Sequence, residues 1–172
     1  GFTGMLFADC RTADDVKKCV QSVKLIPQGG INGVQYGRVM GYGTVRGQPV
    51  TLEDYVKYID EIVVAVMIET KSLVDDIEEA LSVPGIDMVQ FGPSDFSISI
   101  GRPGKGYEDA QIAEALERSY GIAKRKGIRI RAECNVDDMQ KWIDMGCKDF
   151  SIGTDTQTIS AWARNTGKAI RE

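Results

Sequence analysis

The apolar run Ile62-Val63-Val64-Ala65-Val66-Met67-Ile68 constrains the fold more than any other stretch of the chain. It is too short for a typical globular helix, rich in β-branched residues and without polar alternation, so it reads as a strand buried on both faces. Strands of that kind belong to parallel sheets covered by helices. Similar units recur along the sequence. A first strand is expected at Gly4 to Ala8, followed by a helix capped by Thr12 with Val16, Cys19, Val20 and Val23 on its apolar face. Thr51 and Asp54 have the spacing of a capping box for a short helix to about Tyr58. A helix with Leu73, Val74, Ile77, Ala80 and Leu81 on one face then ends at Pro84-Gly85, and Ile86 to Phe91 is the next strand. A long helix is expected from Asp109 to Lys126, a strand at Ile128 to Ala132, a helix from Val136 to Met145, and a last strand at Asp149 to Ile152. Thr156 is expected to cap a closing helix. Glycine-rich residues 29 to 50 read as a long loop. The pattern gives five strand-helix units, an α/β class, and one domain over residues 1–172.

Composition narrows the function. With 172 residues the chain can bury a sizeable core, yet a complete eight-unit (β/α) barrel takes about 250 residues. A formal net charge of -4 disfavours a nucleic-acid partner. The basic group Lys124, Arg125, Lys126, Arg129 and Arg131 begins where cations complement the end of a helix. The longest apolar run cannot span a bilayer and no basic, then apolar, leader opens the sequence, so a soluble cytoplasmic protein with no membrane partner is expected. Cys10, Cys19, Cys134 and Cys147 form no CxxC pair and read as reduced core thiols. The absence of histidine excludes His-ligated metals, Ser-His-Asp triads and a His general base supplied by these residues.

In parallel α/β folds chemistry gathers at the C-terminal ends of strands. Asp9, Glu69, Asp95, Glu133 and Asp155 stand at or just past the five expected ends. Carboxylates around one mouth repel one another unless a cation relieves them, and an all-oxygen donor set favours a hard divalent ion such as Mg²⁺ or Mn²⁺. Asp9 and Asp155 read more simply as caps of the helices that follow. Glu69 is a poor cap at the end of an apolar strand and reads as functional. In Gly92-Pro93-Ser94-Asp95-Phe96-Ser97, small rigid residues follow a strand directly, so successive backbone N–H groups could receive a carboxylate there.

The segments Val66-Met67-Ile68-Glu69-Thr70, Val83-Pro84-Gly85-Ile86-Asp87 and Phe91-Gly92-Pro93-Ser94-Asp95-Phe96-Ser97 resemble the central signature of the HpcH/HpaI aldolase and citrate lyase family. Gly127-Ile128 and Ser151-Ile152-Gly153-Thr154-Asp155 are similar to its seventh and eighth strands. The resemblance implies a TIM (β/α)8 barrel of which this chain supplies strands 4 to 8. It also implies Glu69 and Asp95 as ligands of a divalent metal (Mg²⁺, Mn²⁺ or Co²⁺), with Gly92, Pro93, Ser94, Asp95 and Met67 binding a small 2-oxo acid. The implied reaction is reversible aldol cleavage of a 4-hydroxy-2-oxo acid to pyruvate and an aldehyde through a metal-stabilised enolate. A CoA-thioester lyase of the citrate lyase β or malyl-CoA lyase type and a non-catalytic scaffold on a decayed barrel are the alternatives. Met67 stands where many members have glutamine, and Asn32 where an arginine is expected. The family's catalytic histidine and enolate-stabilising arginine lie on its first three strands, so neither is expected in this chain, which reads as the C-terminal two-thirds of a longer polypeptide. Trimers or hexamers are implied, with Ile159, Trp162 and Ala163 on one face of the closing helix as a packing surface.

Overall fold

The computed structural model describes residues 2–34, 44–45 and 48–171, in two compact units, residues 1–129 and 130–172. In the first unit, strand β1 (Gly4–Phe7) leads to helix α1 (Ala13–Val23). A short antiparallel ladder, β2 (Thr44–Val45) with β3 (Gln48–Pro49), precedes α2 (Leu52–Asp60), β4 (Val63–Ile68), α3 (Lys71–Asp75) and α4 (Ile77–Ala80). Then come β5 (Met88–Phe91), α5 (Pro93–Ser99) and α6 (Ala110–Arg125). The second unit contains β6 (Arg129–Glu133, from its second residue), α7 (Met139–Asp144), β7 (Asp149–Ser151) and α8 (Asp155–Arg171). The expected α/β class holds: strands β1, β4, β5, β6 and β7 have only parallel pairings among the described residues.

Strand β4 is the centre of the first unit's sheet, between β1 (Leu6 opposite Ala65) and β5 (Met67 opposite Gln90). Val64, Val66 and Ile68 have no exposed surface, as the unbroken apolar run requires. Each such side chain contributes roughly 1.5–3 kcal/mol on burial. Asp87 fastens the start of β5 to β4, because its Oδ2 accepts the Val64 N–H at 2.8 Å while its own N–H donates to the Val64 carbonyl. Helix α6 covers β5 with a face repeating at three and four residues, Ile112, Ala115, Leu116, Ser119 and Tyr120, and the Tyr120 hydroxyl accepts the Phe91 N–H. Behind α2 a smaller cluster joins Leu25, Tyr55 and Ile59.

Both expected capping threonines, Thr12 and Thr51, form reciprocal boxes with Asp15 and Asp54. Several boundaries differ from the sequence reading. The helix expected to run through Leu73 to Leu81 is broken at Asp76, whose φ of -104° and ψ of 20° separate α3 from α4. The helix expected from Val136 begins only at Met139, because the Asn135 side chain accepts the N–H groups of Asp137 and Asp138 and holds a turn there. Thr154, not Thr156, caps the closing helix: its hydroxyl accepts the Gln157 N–H and its carbonyl the Thr158 N–H. Residues 29–50 are not simply a loop, since they contain the β2–β3 ladder; residues 35–43 and 46–47 lie outside the described residues. Arg125 and Lys126 of the basic group pair with Glu78, in keeping with a helix end. The outward face of α8 bears Ile159 and Trp162, both exposed.

Asp109 gives a pH-dependent fastening at the start of α6. Its Oδ1 accepts the Gln111 N–H as a cap, and its Oδ2 accepts from Arg102 Nη1 at 2.6 Å. The Arg102 guanidinium holds this carboxyl below its ordinary range. A carboxylate depressed in the folded state stabilises fully above its unfolded pKa, near 3.9, and loses that contribution as pH falls through the folded value. Asp109→Asn should therefore lower stability at neutral pH and flatten the acid side of the stability profile. Urea midpoints from about pH 6 down to about pH 2.5 measure this, and parallel profiles for the two proteins would refute it.

Candidate functional site

Glu69 directly follows β4 and is 5% exposed, an unusual burial for a carboxylate. Its Oε1 accepts the backbone N–H of Asp9 at 2.5 Å. Among the described residues no lysine or arginine pairs with it. Burial raises the Glu69 carboxyl above the ordinary range, the Asp9 N–H opposes that rise, and the negative charges of Asp95 and Asp9 reinforce it. A buried acid raised in this way beside two acidic neighbours marks a candidate functional site.

Its surroundings explain how the chain holds it there. Asp9 adopts a left-handed conformation with φ of 55°, one that aspartate tolerates better than most residues, in the turn that presents its N–H to Glu69. Its side chain takes Arg11 at 3.2 Å, so of the two caps expected for α1, Asp9 and Thr12, only Thr12 serves. Next to Glu69, the Thr70 hydroxyl donates to the Cys10 carbonyl and accepts the Leu73 N–H at the start of α3. Gly92 lies against the acid itself. A Cβ at that position would fall 3.0 Å from both Cβ and Oε2 of Glu69 and 3.3 Å from the Met67 sulfur. A side chain at residue 92 would press the Glu69 carboxylate and the Met67 sulfur back by a few tenths of an ångström.

Residues 92–97, where the sequence pattern shows no helix, form the N-cap and first turns of α5, with Pro93 at its start. Phe96 packs on Phe91, ring centres 5.3 Å apart, and fixes the helix to the end of β5. Ser94 and Asp95 consequently stand exposed in the first turn. Asp9, Glu69 and Asp95 line one open cleft of about 620 Å³, together with Arg11, Thr70, Lys71, Ser72, Asp75, Ile98 and Ser99. Arg11, Lys71 and Ser99 had not been singled out from sequence. The position of Arg11 two residues beyond a strand-end acid was the available signal, whereas Ser99 reaches the cleft only because α5 exists. Glu133 borders a separate opening in the second unit, with Cys134, Asn135 and Asp138. Asp155 lies in the first turn of α8, where its side chain accepts the Thr156 N–H. Asn32, at the position expected to hold arginine, donates its amide to the carbonyls of Ser22 and Lys24.

Residues 1–161 match the family model described as HpcH/HpaI aldolase/citrate lyase. The chain belongs to that family. Among curated relatives, it is 25% identical over 172 residues to a hydroxypyruvate/pyruvate aldolase of Roseovarius nubinhibens, covering 96% of this chain and 63% of that protein. It is 29% identical over 155 residues to a 2-keto-3-deoxy-L-rhamnonate aldolase of Escherichia coli, covering 87% of this chain and 54% of the relative. The crystal structure of an HpcH/HpaI aldolase from Desulfitobacterium hafniense superposes with a TM-score of 0.84 at 26% identity, over 98% of this chain and 64% of that one. The family member described here thus carries the fold of part of a (β/α) barrel and spans less than two-thirds of these relatives' lengths. No helix among its described residues is long and apolar enough to cross a membrane.

Proposed function

We propose that the protein is a metal-dependent carbon–carbon lyase that reversibly cleaves a 4-hydroxy-2-oxo acid to pyruvate and an aldehyde, with Glu69 and Asp95 holding Mg²⁺ or Mn²⁺. The observation that carries this reading is the buried Glu69 carboxyl, with no ion-pair partner among the described residues, sharing one cleft with Asp95. The donor set suits a hard cation, since every candidate ligand is an oxygen. Two carboxylates would leave coordination positions open to substrate and water. When bound, the divalent cation supplies the Lewis acidity that polarises a 2-oxo acid.

The chain's own groups then have separable tasks. The Asp9 N–H orients Glu69 through Oε1, and Gly92 leaves room for Oε2. Ser94 and Asp95 present backbone N–H groups at the first turn of α5, where a substrate carboxylate would be received, while Pro93 opens that helix and the Met67 sulfur borders the space beside Gly92. Self-association through the exposed Ile159 and Trp162 face of α8 belongs to the same proposal. Electron paramagnetic resonance of free Mn²⁺, titrated with protein in the presence and absence of pyruvate, tests the site. We expect one bound ion whose binding tightens with pyruvate; no bound ion, or binding indifferent to pyruvate, would sink the assignment.

Gly92→Ala probes the packing behind the ligand. The added methyl at 3.0 Å from the Glu69 carboxylate must displace that side chain, since the backbone of β5 and α5 is held by the Phe91 and Phe96 packing. Mn²⁺ affinity is expected to fall by about 10-fold, the range seen when groups supporting a ligand are lost, with the circular dichroism spectrum unchanged. Unaltered affinity would show that Glu69 does not need the space.

A further inference from the structure

Cys10 and Cys19 are free thiols whose sulfur atoms lie 3.7 Å apart, one in the connection between β1 and α1 and the other on α1. Cys10 is 2% exposed, whereas Cys19 is half-buried and can be approached from solvent. Cys10 also stands between the two connections that reach the acidic cleft. The preceding N–H, that of Asp9, donates to Glu69, and the carbonyl of Cys10 accepts from Thr70. From this geometry we propose that Cys10 and Cys19 form a reversible disulfide, a modification site coupled to the carboxylate of Glu69.

A covalent bond requires the sulfurs to close from 3.7 Å to about 2.05 Å. Cys19 lies in the middle of α1, which is anchored by the Thr12 box and by Val16 and Val20 in the core, so Cys10 is the partner that moves. Its backbone has no helical frame, and closing the bond strains the two hydrogen bonds on either side of it, from the Asp9 N–H to Glu69 and from the Thr70 hydroxyl to the Cys10 carbonyl. The oxidant is a small-molecule disulfide such as oxidised glutathione. The Cys19 thiolate attacks one of its sulfurs, forming a mixed disulfide and releasing one glutathione thiolate. Cys10 then gives up its proton to solvent, and its thiolate attacks the Cys19 sulfur, expelling the second glutathione thiolate. Two protein thiols are oxidised and one small disulfide is reduced by two electrons. Burial, with the neighbouring Cys19 next in importance, pushes the Cys10 thiol up to about 12, so the second step is the slower one.

Peptide mapping after treatment with oxidised glutathione tests the bond, because tryptic cleavage after Arg11 and Lys18 places the two cysteines in different peptides. The expected product links those two peptides, is preceded by a glutathione adduct on Cys19 alone, and is reversed by dithiothreitol. Cys10→Ala should stop the reaction at the adduct. A wild-type adduct that never advances, or crosslinks to Cys134 or Cys147 in comparable yield, would overturn the proposal. The coupling rests on the metal-site reading and is measured separately, as Mn²⁺ affinity of the reduced and oxidised forms. About a 10-fold weakening on oxidation is expected. A disulfide that forms with Mn²⁺ affinity unchanged refutes the coupling alone, whereas a reduced protein that binds no Mn²⁺ refutes the metal site and leaves the disulfide standing.

Discussion

Glu69→Gln is expected to weaken Mn²⁺ binding by at least about 100-fold, beyond the loss typical of residues that merely support a ligand. The substitution preserves shape and leaves a carbonyl oxygen able to accept the Asp9 N–H, so it removes charge while sparing the packing. Its effect on stability separates a ligand from a structural acid. Burial raises the Glu69 carboxyl in the folded protein, so above both its unfolded and folded pKa values the charge opposes folding. The metal-free Gln variant should accordingly be as stable as the parent at neutral pH, or more so. In the parent, Mn²⁺ affinity should decline as pH falls through the raised Glu69 value, and the variant should lack that step. Metal-dependent exchange of the pyruvate methyl protons for deuterium, followed by proton NMR on the protein, should disappear with the charge. A variant that unfolds, or that retains Mn²⁺ affinity and exchange at the parental level, would remove Glu69 from the site.

The features legible in sequence are those set by local pattern. Strand β4 announces itself because an unbroken apolar run has nowhere to go except a doubly covered sheet, and Glu69 stands out as the polar residue ending that run. Asp109 and the two threonine boxes are local as well, each completed within a few residues. Short elements were harder. The Gly92-Pro93-Ser94-Asp95 stretch carries helix-start chemistry, yet a helix ending at Ser99 is too brief for its periodicity to distinguish it from a turn. The break at Asp76 interrupts an apolar spacing that otherwise fits one helix, because periodicity reports which face is buried and not whether the backbone is continuous. Contacts between distant segments were not legible at all. Nothing local to Asp9 shows that its N–H meets a carboxylate sixty residues later, or that Arg11 and Lys71 share a cleft.

Lys24 is another case of a long-range partnership, and the expected behaviour of Gly30→Ala follows from it. Lys24 is 6% exposed, and its ammonium donates to the carbonyls of Asp60 at 2.7 Å and Ile62 at 3.1 Å, joining the end of α2 to the entry of β4, the strand that leads to Glu69. The Lys24 backbone is gripped just as closely: its carbonyl accepts from the Asn32 N–H and side-chain amide, and the Gly30 N–H donates to the Leu25 carbonyl. In this folded-back turn a Cβ on Gly30 would lie 1.8 Å from the Lys24 carbonyl oxygen and 2.2 Å from its carbon. Backbone atoms held by several hydrogen bonds cannot yield as a flexible side chain would. Gly30→Ala must therefore open the turn, disturb the buried ammonium and weaken its two charge-assisted bonds, each worth roughly 1.5–3 kcal/mol. A loss of about 3 kcal/mol or more is expected in urea unfolding. Gly29→Ala is the control, since Gly29 has φ of 82° but open space around its Cβ, and its left-handed conformation alone should cost only about 1–2 kcal/mol. If the two variants unfold at the same urea concentration, the close approach of Gly30 to Lys24 does not hold this turn together.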